Sequence, residues 1–321
     1  VIVGLRNLCN KEKLIFSDDG YSQASNINAY LLDMKNYFIV DSPKPLNGLP
    51  PMVFGNMPND GGHLLLNPEE RDLILKDYPS ASRFIKRVLG SVELINNRFR
   101  YCIWIEQNDL AAANAIPPIQ ERIVKCRNSR FKSNRKATQK LSLTPHRFGE
   151  VRQVPSSLLI AIPRVSSANR DYLPVDLLAN GEIISDRNFG IFDGAEWLFS
   201  IIASKLHYIW ISNICVRLRN DFSYSNTIGW NTFPMPKFNS EQKKKLESTT
   251  RKILLVRETH FPKSIAELYD RKIMPDDLKK AHIENDKLIE SFYRDEPFEN
   301  DEDRLSHLFE RYVQMTKGVD Q

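Results

Sequence analysis

Arg217, Arg219 and Asp221 stand at alternate positions in a short stretch that also contains Ser223, and side chains of these types can read nucleic-acid bases. Alternate residues of an extended strand share one face, so the two arginines and the aspartate are expected to point the same way. The planar fork of arginine can bind O6 and N7 of guanine, and a carboxylate can accept from the amino group of cytosine. The alternative is an ion-pair cluster on the surface beside a strand.

A second group of residues, the basic cluster, could bind a polyanion. Ten lysines and arginines face two acids between Glu121 and Arg152, whereas ten acids face three bases between Glu284 and Glu310. Small polar residues are interleaved with the basic ones, which is typical of contacts to a phosphate backbone, although a solvated helix face is the alternative. The basic cluster consists of Arg127, Arg130, Lys132, Arg135, Lys136 and Lys140.

A third polar segment, from Pro163 to Pro174, follows a short apolar run and is rich in hydrogen-bonding side chains. Ser166, Ser167 and Arg170 are its candidates for further contacts to phosphates. A serine nucleophile would need a positioned base, and the segment supplies none.

The sequence nominates no catalytic residue, no metal ligands and no cofactor loop in this chain. Gly55–Gly62 contains three glycines and could cradle a phosphate, but it lacks the lysine and serine of a nucleotide-binding loop, which favours a structural turn. Two alternatives to DNA binding remain open. One is a stand-alone metal-dependent nuclease or hydrolase that uses Asp41 and Asp60, and the other is a protein-interaction scaffold with an acidic helical tail.

Length and composition predict a globular protein of two domains. The chain has 321 residues, 41% of them hydrophobic, and a net charge of +5. No run approaches the roughly 20 apolar residues of a membrane helix. The four cysteines are widely spaced, which favours a reducing cytoplasm. We therefore expect a cytoplasmic protein that is not bound to a membrane.

The element pattern predicts an α+β fold, in which a mixed α/β domain over residues 17–236 precedes a small all-α domain over residues 237–321. The Pro234–Pro236 segment is expected to link them. Asn67 can cap a helix in which Pro68 takes the first position. The other expected helices span 82–89, 120–139, 195–214, 240–257, a stretch from 275 and 301–315. The expected strands lie within 1–16, 27–41, 98–105 and 158–162. Loops are expected at 17–26 and 188–194.

Seven spaced segments together resemble the C-terminal half of the MmeI-like, type IIL DNA methyltransferases and restriction–modification enzymes. They cover nearly the whole chain: N-I-N-A-Y-L-L-D (26–33), K-P-L-N-G-L-P-P-M-V-F-G-N-M-P-N-D-G-G-H-L-L-L (44–66), F-R-Y-C-I-W-I (99–105), P-R-V-S-S-A-N-R-D-Y-L-P (163–174), R-L-R-N-D-F-S-Y-S (217–225), N-T-F-P-M-P (231–236) and L-Y-D-R-K-I-M-P-D-D-L-K-K-A-H (268–282).

The resemblance implies a target recognition domain followed by a helical region, downstream of an adenine methyltransferase that uses S-adenosylmethionine and is fused in some members to a nuclease. Residues 1–16 would be a remnant of the last strand of the methyltransferase domain. The implied partners are double-stranded DNA and the protein's own N-terminal methyltransferase domain, and we expect a monomer. S-adenosylmethionine would bind in the missing catalytic domain and not in this chain.

The resemblance also implies that Arg219 and Asp221 are the specificity-setting pair of the family. This sequence departs from the family pattern at Val216, where a glycine is usual, and at Ser223, where an arginine is common. The second difference is expected to alter one recognised base. The resemblance also implies a further base-reading determinant upstream, in the region of Arg187 and Asn188. The expected function is therefore sequence-specific recognition of double-stranded DNA.

Overall fold

The computed structural model describes residues 12–17, 20–156, 158–179, 181–219 and 221–317. Its strands are β1 (Lys13–Ser17), β2 (Gly20–Ala24), β3 (Val53–Phe54), β4 (Leu65–Leu66), β5 (Ile85–Leu89), β6 (Tyr101–Ile103), β7 (Leu158–Pro163), β8 (Val165–Ser166), β9 (Asp176–Ala179), β10 (Ile183–Ile184), β11 (Asn188–Phe192), β12 (Arg217–Leu218) and β13 (Asp221–Ser223).

The α-helices are α1 (Pro68–Asp77), α2 (Ser91–Ile95), α3 (Leu110–Asn114), α4 (Pro117–Phe131), α5 (Lys136–Lys140), α6 (Trp197–Ile202), α7 (Lys205–Ile214), α8 (Ser240–Thr259), α9 (Ile265–Leu268), α10 (Asp276–Glu290) and α11 (Asp301–Lys317). Strands and helices are interspersed before residue 237, and only helices follow it in the described ranges. The expected α+β fold with a helical C-terminal region is confirmed. None of these helices is long and apolar enough to cross a membrane.

Four small sheets form the β structure of the described residues. The strand orders are β1-β2, β10-β5-β6-β4, β3-β11-β7-β9 and β12-β13-β8. The antiparallel pair β7–β11 aligns Ile162 with Phe189, and both side chains are buried. Because β7 runs directly into β8, the buried third sheet positions the small fourth sheet, which carries Arg217, Asp221 and Ser223 of the predicted base-reading residues.

One hydrophobic core lies between the β10-β5-β6-β4 sheet and the helices α1 and α4, and it contains Val88, Cys102 and Ile119. The start of α1 follows the prediction. The Asn67 side chain accepts a hydrogen bond from the Glu70 N–H at 2.7 Å, and the Glu70 carboxylate accepts one from the Asn67 N–H at 2.9 Å. This capping box satisfies two backbone donors that the first helical turn leaves without partners.

The largest core extends through both predicted domains. Trp210 of α7, Phe233 and Phe309 of α11 are each fully buried in it. In the predicted linker Pro234–Pro236, Pro234 is buried and Met235 and Pro236 are half-buried, so this segment is packed against the rest of the chain. The boundary at residue 236 stays a prediction, since the helical region and the preceding domain share this core. The predicted helix over 195–214 is interrupted, because Ser204 caps a new helix, α7.

The N-terminal part of the described chain lies against the last helix. The rings of Tyr30 and Tyr37 stack on that of Phe309 with centroid distances of 5.1 and 5.0 Å. The N–H of Val40 donates to the hydroxyl of Tyr312 at 3.2 Å. Residues near both ends of the chain thus complete one core. Residues 1–11, which include most of the predicted methyltransferase remnant, lie outside the described residues.

Four local predictions were wrong. The segment 82–89 is a 3-10 turn followed by β5, which pairs with β6 and β10, and the predicted loop 188–194 contains β11. Conversely, 27–41 has one isolated bridge, between Ile27 and Asp33, instead of strands, and the predicted loop 17–26 contains β2. In the first two cases strand pairing with distant residues overrides the local preference.

Candidate nucleic-acid interface

The predicted base-reading stretch forms a tight β-hairpin. β12 and β13 pair Arg217 with Phe222 and Leu218 with Asp221, so the chain reverses after Leu218. Arg219 lies at this reversal with a positive φ of 58°, a conformation that costs energy for a residue with a β-carbon. The expectation that Arg217, Arg219 and Asp221 share one face of a single strand was therefore wrong, because the strand ends before Arg219.

The pairing register assigns the hairpin residues to two faces. Phe222 is buried and sits on the same face as its cross-strand partners Arg217 and, in β8, Ser166. The opposite face, together with the reversal, forms the hairpin surface, which consists of Val165, Leu218, Arg219, Asp221 and Ser223. Three of the four predicted residues of this stretch thus lie together on the hairpin surface, where Arg219 is exposed and Asp221 and Ser223 are half-buried.

The two arginines of the hairpin differ in their freedom. The Arg217 guanidinium donates to the Ser212 carbonyl at 3.2 Å, near the C-terminal end of α7, where a positive charge is favourable. The Arg219 side chain is exposed and makes no hydrogen bond or ion pair with any residue that the structure describes. Arg219 is therefore the arginine whose donor fork is available to a ligand.

Asp221 is oriented by the segment Ser166–Asp171, here named the support loop. The Ala168 N–H donates to Oδ1 of Asp221 at 3.2 Å, so one carboxylate oxygen is fixed to the loop. Within the loop, the Asn169 N–H donates to the Ser167 hydroxyl at 3.2 Å. Burial lowers the pKa of the Arg170 guanidinium, while the Asp221 carboxylate acts in the opposite direction. The loop and the hairpin therefore form one site.

Two residues of the predicted DNA-contact set are interior in this region, and their assignments are corrected. Ser166 is 2% exposed on the inner face of β8, so its hydroxyl cannot reach a phosphate. Asn188 is fully buried, where its amide donates to the Leu89 carbonyl at 3.0 Å and accepts from the Ser91 hydroxyl at 3.1 Å. The neighbouring Arg187 is exposed and stays a candidate for base reading.

Arg164, which the sequence reasoning did not single out, joins the Arg187 segment to the hairpin. Its N–H donates to the Arg187 carbonyl at 3.1 Å, and its own carbonyl accepts from the Tyr224 N–H at 2.7 Å. Its guanidinium lies over the Phe54 ring at 4.7 Å and donates to the Asp186 carbonyl at 2.8 Å. Its place directly after Pro163 at a strand end was the available sequence signal.

Arg130 of the basic cluster is also interior, and its assignment as a phosphate contact is corrected. The residue is 1% exposed, and burial lowers the pKa of its guanidinium. The guanidinium donates five hydrogen bonds of 2.8–3.1 Å to backbone carbonyls, namely those of Pro58, Asn59, Leu141, Thr144 and Arg147. All five donors of the side chain are occupied, so Arg130 joins two loops instead of binding an anion.

The other members of the basic cluster are exposed, and none forms an ion pair within the described ranges: they are Arg127, Lys132, Arg135, Lys136 and Lys140. The predicted helix 120–139 is split here, because α4 ends at Phe131 and α5 begins at Lys136. Phe131 is 71% exposed among these cations. The helix α4, which carries part of the cluster, contributes to the core that it shares with α1. The hairpin sheet instead continues from β7, whose residues Ile160 and Ile162 belong to the largest core.

The acids considered for the nuclease alternative do not form a metal site in the described residues. The Asp60 carboxylate accepts from the N–H groups of Gly62 and Leu64, so it stabilises the turn. Asp41 is exposed. Across the described ranges there is no group of three or more His, Cys, Asp or Glu side chains placed to hold a metal ion. Gly55 packs against the Ser185 backbone, as expected of a structural turn.

Comparisons with known proteins follow the same division of the chain. The family described as "MmeI, target recognition domain" matches residues 33–237, and "MmeI, C-terminal domain" matches residues 238–320. DNA methyltransferase A of Bacillus subtilis (strain 168) is 38% identical over 318 residues, which are 99% of this chain and 36% of that protein.

A solved structure of the type IIL restriction–modification enzyme MmeI in complex with DNA superposes with a TM-score of 0.90. It is 32% identical and matches 96% of this chain and 42% of its own. The chain therefore spans less than half of the length of either relative.

Proposed function

This chain belongs to the family of MmeI target recognition and C-terminal domains, and we propose that it is the double-stranded DNA recognition module of a bacterial restriction–modification methyltransferase. The observation that carries the proposal is the hairpin surface. It presents a free arginine at the reversal and, beside it, an aspartate whose carboxylate is held by the support loop. Free donors next to an ordered acceptor are what recognition of a base pair requires.

The proposed recognition takes place in the major groove, which is about 12 Å wide and admits a two-stranded β-ribbon. Arg219 would donate to O6 and N7 of a guanine, and the second oxygen of Asp221 would accept from the amino group of a cytosine. Ser223 lies on the same surface and could donate or accept. Arg187, joined to the hairpin through Arg164, and Arg217 complete the set of candidates.

The exposed cations of the basic cluster are the proposed contacts to phosphates, with Ser167 and Arg170 of the support loop as additional ones. Neutralised phosphates release condensed counterions, so the affinity should fall steeply as the salt concentration rises. The acidic helical region would be repelled by the same phosphates, so we propose that it faces protein or solvent and not the DNA backbone.

The longer protein to which the module belongs is proposed to be an adenine methyltransferase, with or without a fused endonuclease. S-adenosylmethionine would supply the methyl group, bound in the catalytic domain outside this chain. The task of the recognition module is to fix the register in which one adenine is flipped from the duplex into that domain. We further propose that the protein is a cytoplasmic monomer in which this module packs on its own methyltransferase domain.

The proposal is tested by binding the chain to a randomised duplex library at two salt concentrations and sequencing the bound fraction. Enrichment of a short motif, with binding that weakens steeply in salt, is the expected result. Binding without enrichment would show that the phosphate contacts act alone and that specificity needs further parts of the protein. Absence of binding at low salt would contradict the proposal and favour the scaffold alternative.

Arg219→Ala is expected to relax the selected motif at one base pair, at a cost of about 1–3 kcal/mol of discrimination. Arg219→Lys keeps the charge but loses the planar fork, so it should retain general affinity and still lose that discrimination. Arg251→Ala removes an exposed arginine of α8 that pairs with Glu196, and it serves as the matched control. An unchanged motif in both Arg219 variants would contradict the assignment.

A further inference from the structure

The support loop is held from outside by the C-terminal helical region. Arg271, in the turn between α9 and α10, donates from Nε to the Asp171 carboxylate at 2.7 Å and from its backbone N–H to the Asn169 carbonyl at 3.0 Å. Its Nη2 makes two longer contacts, to the carbonyls of Ala168 at 3.4 Å and Arg170 at 3.5 Å. One residue of the helical region therefore contacts four consecutive residues of the loop.

The end of the support loop is anchored to the same region. The Tyr172 hydroxyl donates to the Asp286 carboxylate of α10 at 2.8 Å, and its ring stacks on that of His282 at 4.2 Å. The Tyr208 hydroxyl of α7 also donates to the loop, at the Arg170 carbonyl. The loop thus leaves the hairpin sheet at Ser166 and is fixed by helices at its far end.

Asp221 depends on the position of this loop. Oδ1 of Asp221 accepts from the Ala168 N–H, and the carbonyl of Ala168 accepts from the Arg271 side chain. A displacement of Ala168 would therefore move or release the carboxylate. We propose that Arg271 is a positioning residue for base recognition, and that the helical region sets specificity by holding the support loop in the place where Asp221 faces the DNA. This inference rests on the proposed function.

The contacts of Arg271 point to positioning more than to stability. Its side chain is 54% exposed, and exposed ion pairs such as that with Asp171 contribute little to the free energy of unfolding. Its hydrogen bonds instead fix the path of an irregular backbone segment in which each residue has freedom to move. Loss of Arg271 should therefore loosen the loop while leaving the fold intact.

The first test measures the loop without DNA, by amide hydrogen exchange of the whole chain. Arg271→Ala is expected to speed exchange at Ala168 and Asn169 by roughly fivefold or more, the effect of about one lost hydrogen bond. Exchange within the buried strand β7 should not change. Arg251→Ala removes a comparable exposed ion pair, with Glu196, and should leave the loop unchanged. Unchanged exchange at the loop in Arg271→Ala would overturn the inference.

The second test measures discrimination, with the duplex selected by the wild-type chain and its single base-pair variants. Arg271→Ala should reduce discrimination roughly fivefold at the one base pair where Asp221→Ala loses discrimination. Discrimination at the other positions should not change. In the Asp221→Ala background, Arg271→Ala should have no further effect at that base pair. A purely structural role would instead lower affinity for all duplexes alike, and that result would overturn the inference.

The two tests separate failure of the inference from failure of the proposed function. The wild-type chain could select no motif while Arg271→Ala still speeds amide exchange at Ala168. The proposed function would then be contradicted, whereas the conclusion that Arg271 holds the support loop would stand. If the wild-type chain selects a motif and Arg271→Ala changes neither exchange nor discrimination, the function stands and the inference fails.

Discussion

Arg130→Ala should destabilise the chain severely, although Arg130 belongs to a cluster that was predicted to bind phosphate. The substitution removes five hydrogen bonds from a charged donor to backbone carbonyls. The carbonyls of Pro58, Leu141 and Thr144 keep a second hydrogen bond, from a backbone N–H. A hydrogen bond to a charged group contributes about 1.5–3 kcal/mol, so a simple sum is roughly 7–15 kcal/mol. Water will enter the vacated space and such contributions are not additive, so we expect a loss of about 4 kcal/mol or more.

The assay is urea unfolding at 25 °C followed by circular dichroism. Since domains are stable by only about 5–15 kcal/mol, Arg130→Ala could leave too little folded protein to titrate, and Arg130→Lys then serves as the second variant. Lysine keeps the charge but has one donor centre, so it should fall between alanine and wild type. Arg135→Ala, an exposed member of the same cluster, should change the free energy of unfolding by no more than about 0.5 kcal/mol.

The reasoning would be refuted by two results together. The free energy of unfolding of Arg130→Ala would lie within about 1 kcal/mol of the wild-type value, and the variant would bind all duplexes more weakly, with a smaller salt slope. That outcome would return Arg130 to the phosphate-binding surface and would mean that its hydrogen bonds to the carbonyls are dispensable. Arg135→Ala gives the reference for a proposed phosphate contact, because it should reduce the salt slope without affecting stability.

Two further predictions concern stability. Burial raises the pKa of Asp286 to about 7, so between about pH 4 and 7 the native state holds a proton that the unfolded chain releases, and the free energy of unfolding should fall as the pH rises through that window. Asp286→Asn should abolish this contribution, and a difference from wild type that is the same at about pH 4.5 and 7.5 would contradict it. A β-carbon on Gly55 would lie 2.2 Å from the Ser185 carbonyl oxygen. Gly55→Ala should therefore lower the urea midpoint by the equivalent of about 1–3 kcal/mol, and an unchanged midpoint would refute the close packing.

The parts of the fold that could be predicted from the sequence are those determined by neighbouring residues. The Asn67–Glu70 capping box needs only four consecutive residues, and the structure has it as expected. The amphipathic helices α10 and α11 likewise begin within one residue of their predicted starts, because their apolar positions recur with helical spacing. In these segments local preference and tertiary packing agree.

The parts that could not be predicted depend on distant partners. Ile85–Leu89 contains a basic pair and resembles a short helix, but it becomes a strand because β6 and β10 offer backbone partners on both sides. Gly190 interrupts the apolar pattern of β11, and the sequence therefore indicates a loop. In the structure its missing side chain leaves room for Ile184 and Leu159, whose atoms would lie 2.6 and 2.9 Å from a β-carbon. Neither relation is visible in a local window.

The candidate site shows the same limit. The types of Arg219 and Asp221 indicated base reading, but the reversal at Arg219 escaped prediction because no glycine marks it. The charge count around Arg130 indicated a polyanion site without showing which arginine turns inward. The helical region's contact with the support loop, through Arg271, was also invisible, because a hundred residues separate Arg271 from Asp171.

The stacking of Tyr30 and Tyr37 on Phe309 has a consequence for biosynthesis. A nascent chain emerges from its N-terminus, and the ring that covers these tyrosines belongs to α11, the last helix among the described residues. The largest core therefore cannot close until the ribosome has synthesised α11, and the apolar strands and helices of that core stay exposed to solvent until then. A ribosome stalled before α11 would hold a chain with that core exposed, and the cell would have to shield it from aggregation.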